Sequence, residues 1–292
     1  MPKMGGMGEE MSRIMDEARG RGLDTTADEH SYTAGMPGLV TALPSWTQSS
    51  GIDKMIELLR DERNRQTLKK EMLRGFPGPS TAAIVKHQRW DKMTLTYAGA
   101  NKDLIGLTFE EIANRLQKDP FHVVFDLLIS NRGNVMVTCQ TRSLEDIRAA
   151  LKHRLTMIGS DGKILQNHGE LGKIKDVRSY GTYARLIEKW VVQDRLLTLE
   201  EAIRKATSFP AQRLMLRERG LVKKGMYADI VILDKGKIKD KATYDNTTVS
   251  PEGIEYVLVN GQVVVEHGQH TGALPGMILR RQTQQCIIGS EA

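Results

Sequence analysis

The sequence predicts an α/β body followed by a small β module, on three observations. Between residues 108 and 160, apolar runs of helical period alternate with short β-rich runs. Three helix starts carry a capping-box pattern, Thr108 with Glu111, Ser143 with Asp146 and Thr198 with Glu201. After Gly220 the pattern turns β-rich, and Asn260-Gly261 separates two alternating apolar runs as a hairpin turn does.

The elements follow in order. Met11, Ile14, Met15 and Ala18 share one face of a helix over 9–19. A turn, a short strand and a loop occupy 22–35. One helix spans 52–73, with Ile52, Met55, Ile56 and Leu59 on one face, and "GFPGPS" at 75–80 ends it. Alternating Met93, Leu95 and Tyr97 mark a strand within 89–100. "HVVFDLLIS" (122–130) is a helix, and "NVMVTC" (134–139) and "LTMIGS" (155–160) are strands. Strand, helix, strand, helix is the order of parallel βα units. Helices over 181–193 and 199–207 close the body, "KKGMYADIVILD" and "IEYVLVNGQVVVEHG" form the β module, and 282–292 is a loose tail.

Composition narrows the function classes. The 292 residues carry 40% hydrophobic and 27% charged residues, enough for a large buried core. A net charge of +6 arises from 42 basic and 36 acidic residues that are interleaved, as in "LRDERNRQTLKKEMLR". Interleaved charge is solvated helix surface, and with 5% aromatic residues there is little to stack on bases, so nucleic acid is not an expected partner. No run reaches the ~18–20 apolar residues of a membrane span, and no membrane partner is expected. The first 22 residues carry acids early and lack an apolar core, so they do not read as a signal peptide. Cys139 and Cys286 have no metal or disulfide spacing, which fits a reducing, cytoplasmic setting.

The stretch "LTMIGSDG" (155–162) places Asp161 between glycines where a strand ends. Taken alone, such an Asp-Gly is a turn or cap residue. In α/β barrels, however, acids at strand carboxyl ends carry chemistry.

Several motifs in series resemble one family. "ARGRGLDTTADEHSYTAG" (18–35), "MIGSDG" (157–162), "RSYGTYARLIEKW" (178–190) and "LTLEEAIRKATSFPAQRLML" (197–216) come in that order. They are followed by "GLVKKGMYADIVILD" (220–234) and "EYVLVNGQVVVEHGQHTGALPGMILRR" (255–281). Over about 10–281 the chain resembles the carboxyl-terminal half of N-acyl-D-amino-acid deacylases (D-aminoacylases) of the amidohydrolase superfamily.

The resemblance implies part of a (β/α)8 TIM-type barrel over 1–219, with a helical insertion at about 37–90. A β-sandwich module over 220–281 would follow. It also implies zinc-dependent hydrolysis of the N-acyl amide of an N-acyl-D-amino acid. Asp161 matches the acid ending the last barrel strand, the proton acceptor of the reaction and a candidate metal ligand. A metal lowers the pKa of bound water toward about 7, so a nearby carboxylate suffices as base. Arg178 matches the arginine that pairs with the substrate carboxylate, although "DVR" stands where the family has a His-Pro-Arg tripeptide. His30 and Met36 fall where the family has a substrate-contacting tyrosine and serine. A histidine can donate a hydrogen bond as tyrosine does; a methionine cannot replace a hydroxyl.

The family's metal site opens with two histidines one residue apart. The histidines here, at 30, 87, 122, 153, 168, 267 and 270, hold no such pair. His168 follows Asp161 and is the one loop histidine near it in sequence. Residues 1–219 are also short of the roughly 250 that a full barrel takes. Two readings stand: a deacylase chain inactive alone, as a fragment, a truncated gene product or one half of a split enzyme whose N-terminal half is separately encoded, or a non-catalytic remnant with a binding or scaffold role.

Overall fold

The computed structural model describes residues 7–78, 80–163, 176–244 and 246–280. Two compact units divide the chain, one built from Tyr32–Leu144, the other from the described parts of Gly6–Ser31 and Glu145–Ala292.

In the first unit, strands β2 (Ala34–Gly35), β3 (Met93–Ala98) and β4 (Val135–Gln140) form an antiparallel sheet in the order β2-β4-β3. Met93 faces Cys139 and Leu95 faces Val137 across β3 and β4. This corrects the reading of these strands as members of parallel βα units. Helices α5 (Phe109–Leu116) and α6 (Pro120–Ser130) lie between β3 and β4 in sequence, as a crossover helix would. A pair of helices can equally return the chain antiparallel, and helical period does not distinguish the two.

The caps explain where these helices begin. In α5 the capping box is closed: Glu111 N–H donates to Thr108 Oγ1 at 3.2 Å and Thr108 N–H to Glu111 Oε2 at 2.8 Å. Asp119 caps α6 by accepting from Phe121 N–H at 2.9 Å, with Pro120 in the first turn. Helix α6 buries Phe121, Val123, Val124, Phe125, Leu127 and Leu128, side chains that point most of the way round it. It is the central helix of a core that also takes Leu95, Phe109, Val137 and Cys139.

The helix expected over 52–73 is two helices, α2 (Ile52–Arg60) and α3 (Glu62–Arg74). Asp61 leaves helical geometry at ψ 124° and caps α3 through Asn64 N–H at 2.9 Å. An aspartate inside a periodic run competes for backbone donors, and here it starts a new helix. Helix α4 (Ser80–Lys86) follows.

In the second unit, α1 (Met7–Gly20) precedes β1 (Ala27–Glu29), which pairs in parallel with β5 (Thr156–Ile158). Among the described residues this is the single parallel pairing. Helix α7 (Leu144–Lys152) leads into β5. Its Asp146 accepts from Gly8 N–H at 2.9 Å, a partner far away in sequence. Helix α8 (Val177–Arg185) runs on as a π-helical stretch over 186–193, then α9 (Leu199–Ala206) and α10 (Ser208–Arg213). Thr198 caps α9, while the Glu201 carboxylate turns to Arg204 at 2.7 Å instead of closing its box.

The β module is one antiparallel sheet in chain order, β6 (Ile230–Leu233), β7 (Ile254–Val259), β8 (Gln262–Glu266) and β9 (Gln269–His270). Val259 pairs with Gln262, so Asn260 and Gly261 are a two-residue hairpin loop. Their φ values of 49° and 81° are those of a type I′ turn. Leu233 and Ile254 pack on a small cluster of Ala184, Ile187 and Ile238, yet no strand residue of the sheet is fully buried.

Candidate functional site

The site lies where β5 ends, within the second unit. Gly159 N–H donates to Glu29 O at 3.2 Å, carrying the parallel ladder one residue past β5. The chain then turns at Asp161, whose φ of 49° is left-handed, a conformation that aspartate tolerates better than most residues. Lys163 N–H donates to Ser179 Oγ at 2.8 Å, docking the loop on the first turn of α8. Gly162 is required by that approach: a Cβ there would sit 2.9 Å from Ser179 Cα and 3.1 Å from its nitrogen.

Asp161 is mostly exposed, its side chain 72% accessible, and its carboxylate accepts from Arg178 Nη1. Arg178 lies in the first turn of α8 with its side chain only 7% exposed. Asp176, completely buried, is the N-cap of α8 and the principal partner of that guanidinium. It accepts from Arg178 N–H at 3.1 Å and Nε at 3.0 Å through one oxygen, and from Nη2 at 2.8 Å through the other. Burial works against the charge of Arg178, but the hydrogen bonds and charge of Asp176, then of Asp161, outweigh it and raise its pKa.

The sequence-predicted residues are therefore placed unequally. Asp161 and Arg178, 17 positions apart in the chain, are brought into contact. His30 is half-buried immediately after β1, the partner strand of β5. Met36 belongs to the first unit and is buried, 2% exposed. His168 lies outside the described residues. Asp176 and Ser179 are the residues that the sequence reading missed. The available signal was an aspartate directly before a helical run, which marks an N-cap.

These residues do not make a zinc site. Among the described residues there is no group of three or more His, Cys, Asp or Glu side chains able to hold a metal ion. The carboxylate expected to contribute, Asp161, is bound by a guanidinium, whose charge opposes a cation beside it. His122 and His153 are engaged elsewhere, with Glu62 at 3.3 Å and Asp16 at 3.1 Å, and His267 pairs with Glu255 at 3.1 Å.

The profile of the Amidohydrolase family matches residues 82–265, more than half of the chain. The chain belongs to the amidohydrolase family. The chain is 31% identical over 207 residues to an N-acyl-D-glutamate deacylase of Alcaligenes xylosoxydans xylosoxydans, covering 70% of the chain and 40% of that protein. A D-aminoacylase of the same organism is 29% identical over 212 residues, 72% of the chain and 42% of the relative. The resemblance read from the motifs falls on the same branch.

A solved D-aminoacylase, described as having a binuclear metal centre, superposes with a TM-score of 0.65 at 26% identity, over 92% of this chain and 45% of that one. An N-acyl-D-glutamate deacylase from Bordetella bronchiseptica, complexed with zinc and a phosphonate inhibitor, gives 0.65 over 90% and 44%. At 22% identity it speaks for the fold alone. The amidohydrolase chain thus spans about two fifths of the length of the curated relatives it matches. Among the described residues, no helix is long and apolar enough to cross a membrane.

Proposed function

We propose that this chain supplies the Asp161- and Arg178-bearing part of a metal-dependent hydrolase that cleaves the N-acyl amide of N-acyl-D-amino acids, and that it is inactive alone. The contact between Asp161 and Arg178 at the end of a parallel strand carries this reading. It puts a proton acceptor and a carboxylate-binding fork side by side, the two groups that amide hydrolysis of an amino-acid derivative needs. Asp161 accepts the proton of the attacking water and returns it to the leaving amine. Arg178 holds the α-carboxylate, and a fork fixed in a buried pair favours one hand of the substrate. His30 stands in for a hydrogen-bond donor to the substrate.

In this reading β1 and β5 are strands of a (β/α)8 barrel and 220–281 is one sheet of a β-sandwich. The zinc of the family is bound chiefly by side chains other than those described. The setting is cytoplasmic.

The test is complementation. Pure chain incubated with zinc and N-acetyl-D-methionine should release no methionine. Adding a polypeptide that corresponds to the N-terminal part of a D-aminoacylase should restore hydrolysis. Turnover by the pure chain would overturn the incompleteness, and a stable but inactive complex would overturn the deacylase reading.

A further inference from the structure

We infer that Asp176 is a positioning residue, which turns the guanidinium of Arg178 so that its Nη1 end faces the ligand space after β5. The inference rests on the reading of Arg178 as the carboxylate-binding residue. A guanidinium offers two edges that can take a carboxylate bidentately, Nε with Nη2 and Nη1 with Nη2. Asp176 occupies the first edge completely, through Nε at 3.0 Å and Nη2 at 2.8 Å. Its own position is set by the backbone bond from Arg178 N–H at 3.1 Å, so the side chain cannot swing without breaking three hydrogen bonds.

The other edge is left to Asp161. Nη1 meets Asp161, whose side chain is 72% exposed, so this end of the buried guanidinium faces toward solvent. Among the described residues an incoming carboxylate competes there with Asp161, because Asp176 is on the opposite edge. Asp176 also balances the charge of Arg178, without which a guanidinium this buried would be strongly unfavourable.

A helix cap does not account for this arrangement. Capping needs one side-chain oxygen on a backbone N–H, which Asn or Ser provides as well as Asp. The second oxygen of Asp176 does nothing for the cap and, among the described residues, binds Nη2.

The experiment follows the Arg178 Nε–H resonance of the full chain during titration with N-acetyl-D-methionine and, separately, with its carboxamide. The acid should shift the resonance saturably and the amide should not. Asp176→Asn keeps the cap and should weaken acid binding by about tenfold or more, with the α8 backbone amides unmoved. In an Arg178→Lys background the same substitution should change acid binding by less than about twofold, because Asp176 acts through the guanidinium. Should Asp176→Asn fail to fold, Asp176→Ser provides the same comparison. If the wild-type chain binds the acid and Asp176→Asn or Asp176→Ser binds it equally, the positioning role falls while the carboxylate reading stands. If the acid leaves the wild-type resonance unmoved, the carboxylate reading fails and takes this inference with it.

Discussion

Lys205, on α9, donates through its completely buried ammonium group to the carbonyl oxygens of Thr156 at 2.7 Å and His153 at 2.6 Å. The helix that follows the candidate site thereby holds the start of β5, the strand that leads to Asp161. Burial lowers the pKa of Lys205, and the nearby Glu201 restores only part of the shift. Between the folded value and the unfolded one near 10.4, the unfolded chain retains a proton that the folded chain has lost. Stability therefore rises with pH across that window. Lys205→Met should remove this rise. Below the window it should cost about 1–3 kcal/mol, because the two carbonyls lose their donor. Urea unfolding at several pH values measures both effects.

Gly162→Ala should destabilise the second unit by about 1–3 kcal/mol, because the new methyl group meets backbone atoms of Ser179 that cannot yield without moving α8. Hydrogen exchange at the Lys163 amide, which donates to Ser179 Oγ, should accelerate in the same variant. An unchanged melt with unchanged exchange would mean that the loop does not dock on α8.

Phe125 is completely buried in α6, with His122 edge-on to its ring at 6.2 Å and Arg65 5.7 Å from the ring centre. Phe125→Ala should cost about 3–5 kcal/mol of stability, through lost transfer energy and the cavity left behind. A circular-dichroism urea titration resolves a loss of that size.

Cys139 is buried in β4, where exclusion from water pushes its thiol up to about 12. The thiolate is the reactive form, so alkylation of Cys139 at pH 8 should be slow and limited by opening of the β2-β4-β3 sheet. Peptide mass analysis of iodoacetamide-treated protein reports this. Rapid labelling of Cys139 in the folded chain would contradict its burial.

In the complemented enzyme Asp161→Asn should lower kcat by at least about 100-fold, since it removes the proton acceptor and keeps the shape. KM should not rise, because the carboxylate contact belongs to Arg178 and the substitution removes the carboxylate that competes for its Nη1. Arg178→Ala should instead mainly raise KM and erode the preference for D over L substrates. Steady-state kinetics on both enantiomers separates the two outcomes.

Motifs whose physics is local were legible. Asn260-Gly261 is a hairpin loop because both residues adopt positive φ, a property of two neighbouring residues. Thr108 and Glu111 reach each other within one helical turn, so their box could be read from spacing. At Asp146 the structure adds a partner that spacing does not show: its carboxylate accepts from Gly8 N–H, 138 positions away.

For the site, the sequence by itself determined that an acid follows a strand at Asp161 and that Arg178 stands just ahead of a helical run, together with the family in which both occur. Only the tertiary structure decided that β3 and β4 run antiparallel, since strand direction depends on which chain segment returns alongside, and a helical crossover permits either. It also decided that Arg178 is claimed first by Asp176, a buried partner within hydrogen-bond range, where distances of 2.8 to 3.1 Å settle a competition that spacing along the chain cannot express. Met36 is the same lesson from the apolar side: its position in a motif marked it for substrate, and its burial is set by packing with residues distant in sequence.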